Sequence, residues 1–404
     1  MRRGAQLRMK PMHILLVNFD PGREGGVSNL LRLFSAYCQT FVQDTLSVLC
    51  AGGSPLEDLS GYPNTRVRGF KRGRDREVRR LVWALTPGSH SRQGEPVDII
   101  LAVNVGKYLR PDVPQVILLN NAYQVYPWAE VRNHTSSVTK LAVLRWFFRR
   151  SLSHASGVIV QTPLMARYVR ALAPPFLPIG MVSKAVDSGD APGPASPRHE
   201  VFPWTTPAEG LFTFFYAASP SPHKNHLTVF SALALMSDRG VPCRLVVTLD
   251  AADVRRIGGP AAGSLMRTGR IQAAGWIEPG QLRRAYAECD GCVMPSLLES
   301  QSSAYLEAMN WGKPQIVADV PNARDLCREA ALYASPEDPA DWARKMEILV
   351  ADSGLRSSLV EAGFGVMQTH PPTWSEAAGR IRAFLESVLM LSGKEVANQP
   401  CVHS

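Results

Sequence analysis

The first dense apolar run of the chain is His13-Ile-Leu-Leu-Val17. The loop Asn18 to Gly26 follows it and ends in Gly25-Gly26. A helical pattern begins near Ser28, with Leu30, Leu31, Phe34 and Tyr37 on one face. A short run that is apolar at nearly every position suits a strand buried on both faces of a parallel sheet, and the glycine pair marks the turn into a helix. Leu46 to Cys50, Val97 to Val103, Gln115 to Leu119 and Gly157 to Gln161 read as further strands, and Thr162-Pro163 opens a helix with proline in its first turn. Alternating strands and helices predict a parallel sheet covered by helices on both faces.

The pattern lapses between Val182 and Pro207, a stretch rich in Pro, Gly, Ser, Ala and Asp that reads as a linker, and then restarts. Leu211 to Tyr216 and Cys243 to Leu249 read as strands, as do Ile271 to Ala273, Gly291 to Pro295 and Gln315 to Ala318. Helical stretches separate them at His226 to Arg239, Gln281 to Cys289, Ser303 to Trp311 and Ala340 to Ala351, and an amphipathic helix covers about Trp374 to Leu391. The reading is therefore α/β: two doubly wound, Rossmann-like domains facing across a cleft, with ligand chemistry in the loops after the strands. Its boundaries are a basic tail over 1–11, a first domain over 12–185, a linker over 186–207, a second domain over 208–373, a closing helix over 374–392 and a tail over 393–404. A length of 404 residues agrees with two domains.

Composition excludes some classes. With 45% hydrophobic and 20% charged residues the chain is neither disordered nor membrane-spanning, since no apolar run approaches the roughly 18 residues a bilayer needs. The basic start lacks the apolar stretch and cleavage site of a signal peptide, so the expected location is cytoplasmic. Seven scattered cysteines read as free thiols, and Cys289-Asp-Gly-Cys292, with no second pair, reads as structural. The net charge of +9 is uneven: residues 1–190 hold 25 Lys and Arg against 13 Asp and Glu, and the remainder is slightly acidic. The first half thus faces something anionic.

Three constellations carry chemistry. Glu299-Ser-Gln-Ser-Ser-Ala-Tyr-Leu-Glu307 closely follows the strand Cys292 to Pro295. A carboxylate at the loop, a helix start near Ser302 with unpaired N–H groups, and a second carboxylate one turn in together make a site for an anion or sugar hydroxyls. From the residues alone, a Glu299 that merely caps the helix and a solvated Glu307 are the favoured reading. The second constellation is Pro222-His-Lys-Asn-His226, where Lys224, at a strand-to-helix turn, can reach a diphosphate as a point charge. The third is Gly25-Gly26, where the backbone can approach a ligand closely. The spacing of His223 and His226 is too generic for a metal site.

The E-x7-E spacing after a Pro-Ser loop, followed by Ala308-Met-Asn-Trp-Gly-Lys-Pro314, resembles the signature of retaining glycosyltransferase family four, the glycosyl transferases of group 1. The resemblance is specific over about 211–390 and diffuse over 12–180. It implies the GT-B fold, a nucleotide diphosphate sugar as donor substrate, and no cofactor or metal. It implies Glu307 as the ribose ligand, Glu299 as a ligand of the sugar, and backbone amides of Gln301, Ser302 and Ser303 at the sugar or distal phosphate. Lys224 becomes the diphosphate contact. Gly25 and Gly26 lie against the donor phosphates and acceptor, and Trp276 and Ile277 at the base. The sequence departs from the family at three places: Gln301-Ser302 stands where Phe-Gly is usual, Ser219 where an arginine precedes the lysine by five residues, and Asn120-Asn121 where a first-domain histidine is frequent. Asn120 or Asn121 can supply a hydrogen bond but not a general base.

These features imply a retaining hexosyltransferase-like enzyme acting in surface polysaccharide or glycolipid synthesis of a lipopolysaccharide-like kind, with a saccharide or lipid-linked saccharide as acceptor. An epimerase of nucleotide sugars on the same fold, or an inactive partner subunit, are the competing readings. A dehydrogenase is disfavoured because no G-x-G-x-x-G follows the first strand. The segment Lys140 to Arg150 is helical, aromatic and basic. Through Lys140, Arg145, Trp146, Phe147, Arg149 and Arg150 it reads as a peripheral contact with an anionic membrane, or as a core-facing helix with a solvated basic edge. No RNA or DNA module is recognisable, so nucleic acid is not an expected partner.

Overall fold

The computed structural model describes residues 10–20, 22, 25–70, 82–86, 96–109, 111–135, 137–186, 210–277, 281–371 and 373–393. The basic run Lys71 to Arg80, nearly all of the linker and Cys401 lie outside them. The chain divides into two compact units. One takes the residues up to Val125, Thr139–Lys184 and those from Trp374 onward; the other takes Tyr126–Val138 and Ala185–Thr373. The segment Tyr126–Val138, which the sequence reading kept within the first domain, thus packs with the second unit.

The sheet of the first unit has seven parallel strands: β1 (His13–Asn18), β2 (Thr45–Ala51), β3 (Thr65–Phe70), β4 (Ile99–Val103), β5 (Gln115–Leu118), β6 (Gly157–Val160) and β7 (Ile179–Met181). Their order is β3-β2-β1-β4-β5-β6-β7. The central strands β1, β4, β5 and β6 are buried at every position, which is why they read as unbroken apolar runs. The edge strands β3 and β7 escaped the sequence reading. Thr65-Arg-Val-Arg-Gly-Phe70 alternates with arginines because an edge strand keeps solvent contact, and β7 has only three residues.

The closing helix Trp374–Leu391 belongs to this unit and is anchored by a buried ion pair. Arg382 and Asp44 have side chains 1% and 0% exposed, with Nε 2.8 Å from Oδ2. Asp44 also accepts from the Tyr37 hydroxyl at 2.6 Å and from the Met12 amide at 3.0 Å, while an Arg382 Nη donates to the Lys10 carbonyl at 2.8 Å. One carboxylate therefore joins the first helix, the entry to β1 and the closing helix. Burial works against the charge on Arg382, but the hydrogen bond and charge of Asp44 outweigh it and raise its pKa. Burial first, and then Asp44, also hold the Tyr37 phenol protonated. Beside this knot, Gly180 of β7 lets the ring of Phe384 lie against the sheet, since a Cβ there would come within 2.6 Å of it.

The helix Val138–Leu152 corrects the membrane reading at one residue. Arg145 does not face solvent. It shares the buried face with Leu141 and Phe148 and donates to the Tyr123 carbonyl at 2.8 Å. Phe147 is half-buried and stacks on Tyr108, with ring centroids 4.5 Å apart. Trp146, 62% exposed, Val143, Lys140, Arg149 and Arg150 form the outer face.

The second unit has six parallel strands: β8 (Phe212–Tyr216), β9 (Cys243–Val247), β10 (Ile271–Ala273), β11 (Gly291–Met294), β12 (Gln315–Ala318) and β13 (Leu332–Ala334), in the order β10-β9-β8-β11-β12-β13. Its core is continuous from Phe214 and Phe215 through Met236 and Val293 to Trp342. The long helix Ala251–Arg267, unread in the sequence, is interrupted where Gly259 turns to a φ of 60° ahead of Pro260. Cys289 and Cys292 are buried in this core, and burial, with Cys289 alongside, holds the Cys292 thiol protonated. No helix among the described residues is long and apolar enough to cross a membrane.

Breaking a buried pair strands the surviving charge, at a cost of about 3–5 kcal/mol. Asp44→Ala is expected to lower unfolding free energy by about that amount, measured by urea titration.

Candidate functional site

Strand order in the second unit reverses between β8 and β11, which pair in parallel through Gly291 with Phe214 and Cys292 with Phe215. The loops leaving the carboxyl ends of these two strands consequently emerge side by side, the usual position of a ligand in such a sheet. One carries Ser219 and Lys224; the other carries Glu299, Gln301 and Ser302.

The two loops are bonded to each other. The Leu297 amide donates to the His223 carbonyl at 2.8 Å. Tyr216, the last residue of β8, donates its hydroxyl to the Lys224 carbonyl at 2.8 Å. That leaves the Ser296 hydroxyl, 3.0 Å away, as donor to the Tyr216 oxygen. Burial holds the Tyr216 phenol well above its ordinary pKa, so it remains a donor. Asn225 closes the turn Pro222–Lys224 in the left-handed region, φ 51°, and its side-chain Nδ2 donates to the Pro336 carbonyl at 2.7 Å. Asparagine tolerates that conformation better than most residues. The outcome is a direct ion pair between the Lys224 ammonium and the Glu299 carboxylate, 75 residues apart in sequence, with side chains 18% and 12% exposed.

Ser302 stands at the N-cap of the helix Ser303–Asn310 without a side-chain capping bond. Gln301 and Ser302 are buried, and Ser303 is half-buried. One turn into the helix, Glu307 accepts from the Tyr286 hydroxyl at 2.9 Å. Trp276 is 58% exposed after β10, next to Gly275 at φ 71°, while Ile277 is buried. A cation, a helix start, two oriented carboxylates and an exposed indole thus occupy one end of one sheet. That set suits an anion that also carries hydroxyl groups and an aromatic ring.

Sequence reasoning missed two aromatic supports. Tyr216 was legible as a polar-tipped aromatic ending an apolar strand. Tyr126 was not. It is 1% exposed, lies in the segment Tyr126–Val138, and donates its hydroxyl to the Glu299 carbonyl at 2.8 Å across 173 residues.

The predicted residues of the first unit form a separate group. Gly25 and Gly26 open the first helix, Gly25–Thr40, and a Cβ on Gly26 would meet nothing within 4 Å. Asn120 follows β5; its backbone N–H donates to the Asn104 side-chain oxygen at 2.8 Å and its side-chain oxygen accepts from the Gln161 side-chain amide at 2.5 Å. Asn121 is a local cap, accepting from the Tyr123 amide at 3.0 Å. Asn121 therefore has a structural duty, whereas Asn120 and Gly26 line one cavity of this unit. Among the described residues no three His, Cys, Asp or Glu side chains gather where they would hold a metal.

The histidines beside Lys224 add no positive charge near neutrality. Burial lowers His226 to about 4, although its Nε2 donates to the Ser219 carbonyl at 2.9 Å, and burial likewise lowers His223 to about 4. The folded state thus refuses protons that an unfolded histidine takes up near pH 6.5. Stability present above that pH is lost as pH falls toward 4. Unfolding free energies measured between pH 7 and 4 are expected to decline, and His226→Gln to flatten part of the slope.

Residues 212–352 match the family model described as Glycosyl transferases group 1. No curated protein matches the sequence. Sucrose-phosphate synthase from Thermosynechococcus elongatus superposes with a TM-score of 0.72 at 15% identity, over 94% of this chain and 100% of that one. Anabaena HepE, solved in complex with UDP and glucose, gives 0.67 at 16% identity over 93% and 100%. A glycosyltransferase from Rickettsia africae gives 0.65 at 13% over 96% and 100%. With its seven- and six-stranded parallel sheets, the chain has the GT-B fold of these glycosyltransferases, and the group 1 match coincides with the unit that holds Lys224 and Glu299.

Proposed function

We propose that the protein is a retaining glycosyltransferase that moves a sugar from a nucleotide diphosphate sugar to a hydroxyl acceptor without a metal. The observation that carries this reading is the Lys224–Glu299 pair at the start of the helix Ser303–Asn310, within the matched region. Lys224 holds the donor diphosphate, exchanging its carboxylate partner for phosphate oxygens. Glu299, freed from the lysine, accepts from the sugar hydroxyls, and the amides of Gln301, Ser302 and Ser303 face the sugar or distal phosphate. Glu307, oriented by Tyr286, takes the ribose hydroxyls, and Trp276 the base. Ser219 brings no charge to the phosphates, so the load falls on Lys224 and the helix start. The HepE structures with UDP and UDP-glucose support a uridine nucleotide as the first donor to test.

Two carboxylates on one helix start do not face each other across a scissile bond, which disfavours the double-carboxylate chemistry of hydrolases. The reading instead takes front-face displacement. The acceptor oxygen bonds to the anomeric carbon on the face that the diphosphate leaves. The bond from carbon to phosphate oxygen breaks with its electron pair on the diphosphate, which takes the acceptor proton. The protein's contribution is to align the partners and stabilise the departing charge. Gly25 and Gly26 lie against the donor phosphates and the acceptor, and Asn120 supplies a hydrogen bond where the family has its first-domain histidine. The product is a surface polysaccharide or a lipopolysaccharide-like glycolipid, and the enzyme works in the cytoplasm, at the inner face of the membrane. Trp146 and Val143, flanked by Lys140, Arg149 and Arg150, make the membrane contact.

A ligand that binds only the folded state raises its melting temperature by mass action, about 2.7 kcal/mol at one hundred times Kd. Among UDP, GDP, ADP, dTDP and CMP, one is expected to raise it, and Lys224→Ala and Glu307→Ala to abolish the shift. No shift with any nucleotide, or a full shift in both variants, overturns the site. Trp146→Ala is expected to reduce co-sedimentation with anionic vesicles several-fold and leave nucleotide binding unchanged; equal sedimentation with neutral and anionic vesicles counts against the membrane contact.

A further inference from the structure

The backbone on each side of the Lys224–Glu299 ion pair is pinned by a buried phenol. The Lys224 carbonyl accepts from the Tyr216 hydroxyl and the Glu299 carbonyl from the Tyr126 hydroxyl, each at 2.8 Å. A third bond, from the Leu297 amide to the His223 carbonyl at 2.8 Å, ties the two loops together. The loops are therefore not built to part. When Lys224 serves phosphate oxygens, the change falls on the side chains: the Glu299 carboxylate turns off the ammonium.

The surroundings make this a real competition. Over 217–225 and 295–302, Lys224 and Glu299 are the only Lys, Arg, Asp or Glu residues. Burial keeps His223 and His226 uncharged near neutrality, lowering both to about 4. With the pair formed, the side chains of the two loops offer a phosphate no net positive charge. Both partners are mostly buried, 18% and 12% exposed. Water screens charges only partly at that depth, so a carboxylate parted from its cation loses more than a surface group would.

A nucleotide diphosphate sugar satisfies both ends, with phosphate oxygens for Lys224 and hydroxyl donors for Glu299. A free nucleotide diphosphate satisfies one. It takes the ammonium, brings Glu299 no sugar hydroxyl, and sets the added negative charge of a terminal phosphate beside the displaced carboxylate.

We propose that the Lys224–Glu299 pair selects the sugar-bearing donor over the free nucleotide diphosphate, with Glu299 as the residue that sets the preference. Its carboxylate competes with phosphate for Lys224 whenever no sugar engages it, and so favours departure of the spent nucleotide after transfer. This role rests on the donor-site reading above.

Isothermal titration calorimetry with UDP and UDP-glucose tests it. The wild type is expected to bind UDP-glucose about tenfold more tightly than UDP, the difference that one hydrogen bond to a charged group makes. Glu299→Gln removes the competing charge and keeps the size of the side chain. It is expected to bind UDP about tenfold more tightly than the wild type does and UDP-glucose no more tightly, which erases the preference. Glu299→Ala is expected to gain UDP affinity in the same direction. Damage to the fold lowers affinity for both ligands, so a gain for one alone does not arise from it. Lys224→Ala is expected to lose both.

UDP binding to the wild type as tightly as UDP-glucose overturns the proposal. So does UDP binding that is unchanged or weaker in both Glu299 variants, or a gain of equal size for the two ligands. In each of these cases, loss of both ligands in Lys224→Ala leaves the donor-site reading standing. Binding that Lys224→Ala does not disturb, or no binding of either ligand to the wild type and Glu299→Gln, sinks that reading and the proposal with it.

Discussion

Two neighbouring parallel strands, β8 and β11, determine most of the chemistry of the second unit. Between them the order of the sheet changes direction, so the loops that follow cannot be bridged by adjacent helices and must open side by side. Everything placed on those loops meets: a lysine from one, a glutamate and a helix start from the other. The hydrogen bonds that lock the loops together use backbone carbonyls and a buried phenol, leaving the charged ends of Lys224 and Glu299 for each other. The ion pair is thus a product of topology more than of local sequence.

In the first unit the comparable role falls to Asp44. A single buried carboxylate, satisfied by a guanidinium, a phenol and an amide, ties the last long helix to the first strand and first helix. The same helix carries Trp374 to the edge of the cavity in which Asn120 and Gln161 lie. A structural knot and a polar cavity are in this way supported by one element, and the apolar face between them, including Ala377 and Ile381, supplies the rigidity that both need.

The two sheets were legible where strands are buried on both faces, because there every position must be apolar. They were illegible at the edges, where Arg66 and Arg68 break the run, and in the helix Ala251–Arg267, where Gly-Gly-Pro imitates a loop. Lys224, Glu299 and Glu307 were legible through spacing after a strand. Arg145 was misread because helical periodicity alone does not say which face of a mixed aromatic and basic helix turns inward. Tyr126 was beyond any sequence argument: its partner is a backbone carbonyl 173 residues away.

The path of the chain between the two units has an evolutionary consequence. It passes from one to the other at Val125, Val138, Lys184 and Thr373. A gene fragment ending at the linker would encode Tyr126 and Val131, both buried in the intact protein, without the surface that buries them. One beginning at the linker would lack the phenol that holds the Glu299 carbonyl and would end in a helix whose anchor, Asp44, had been left behind. Neither half is a portable module. Recombination at the linker would therefore be selected against, and new specificities would have to arise by substitution within loops rather than by exchange of domains.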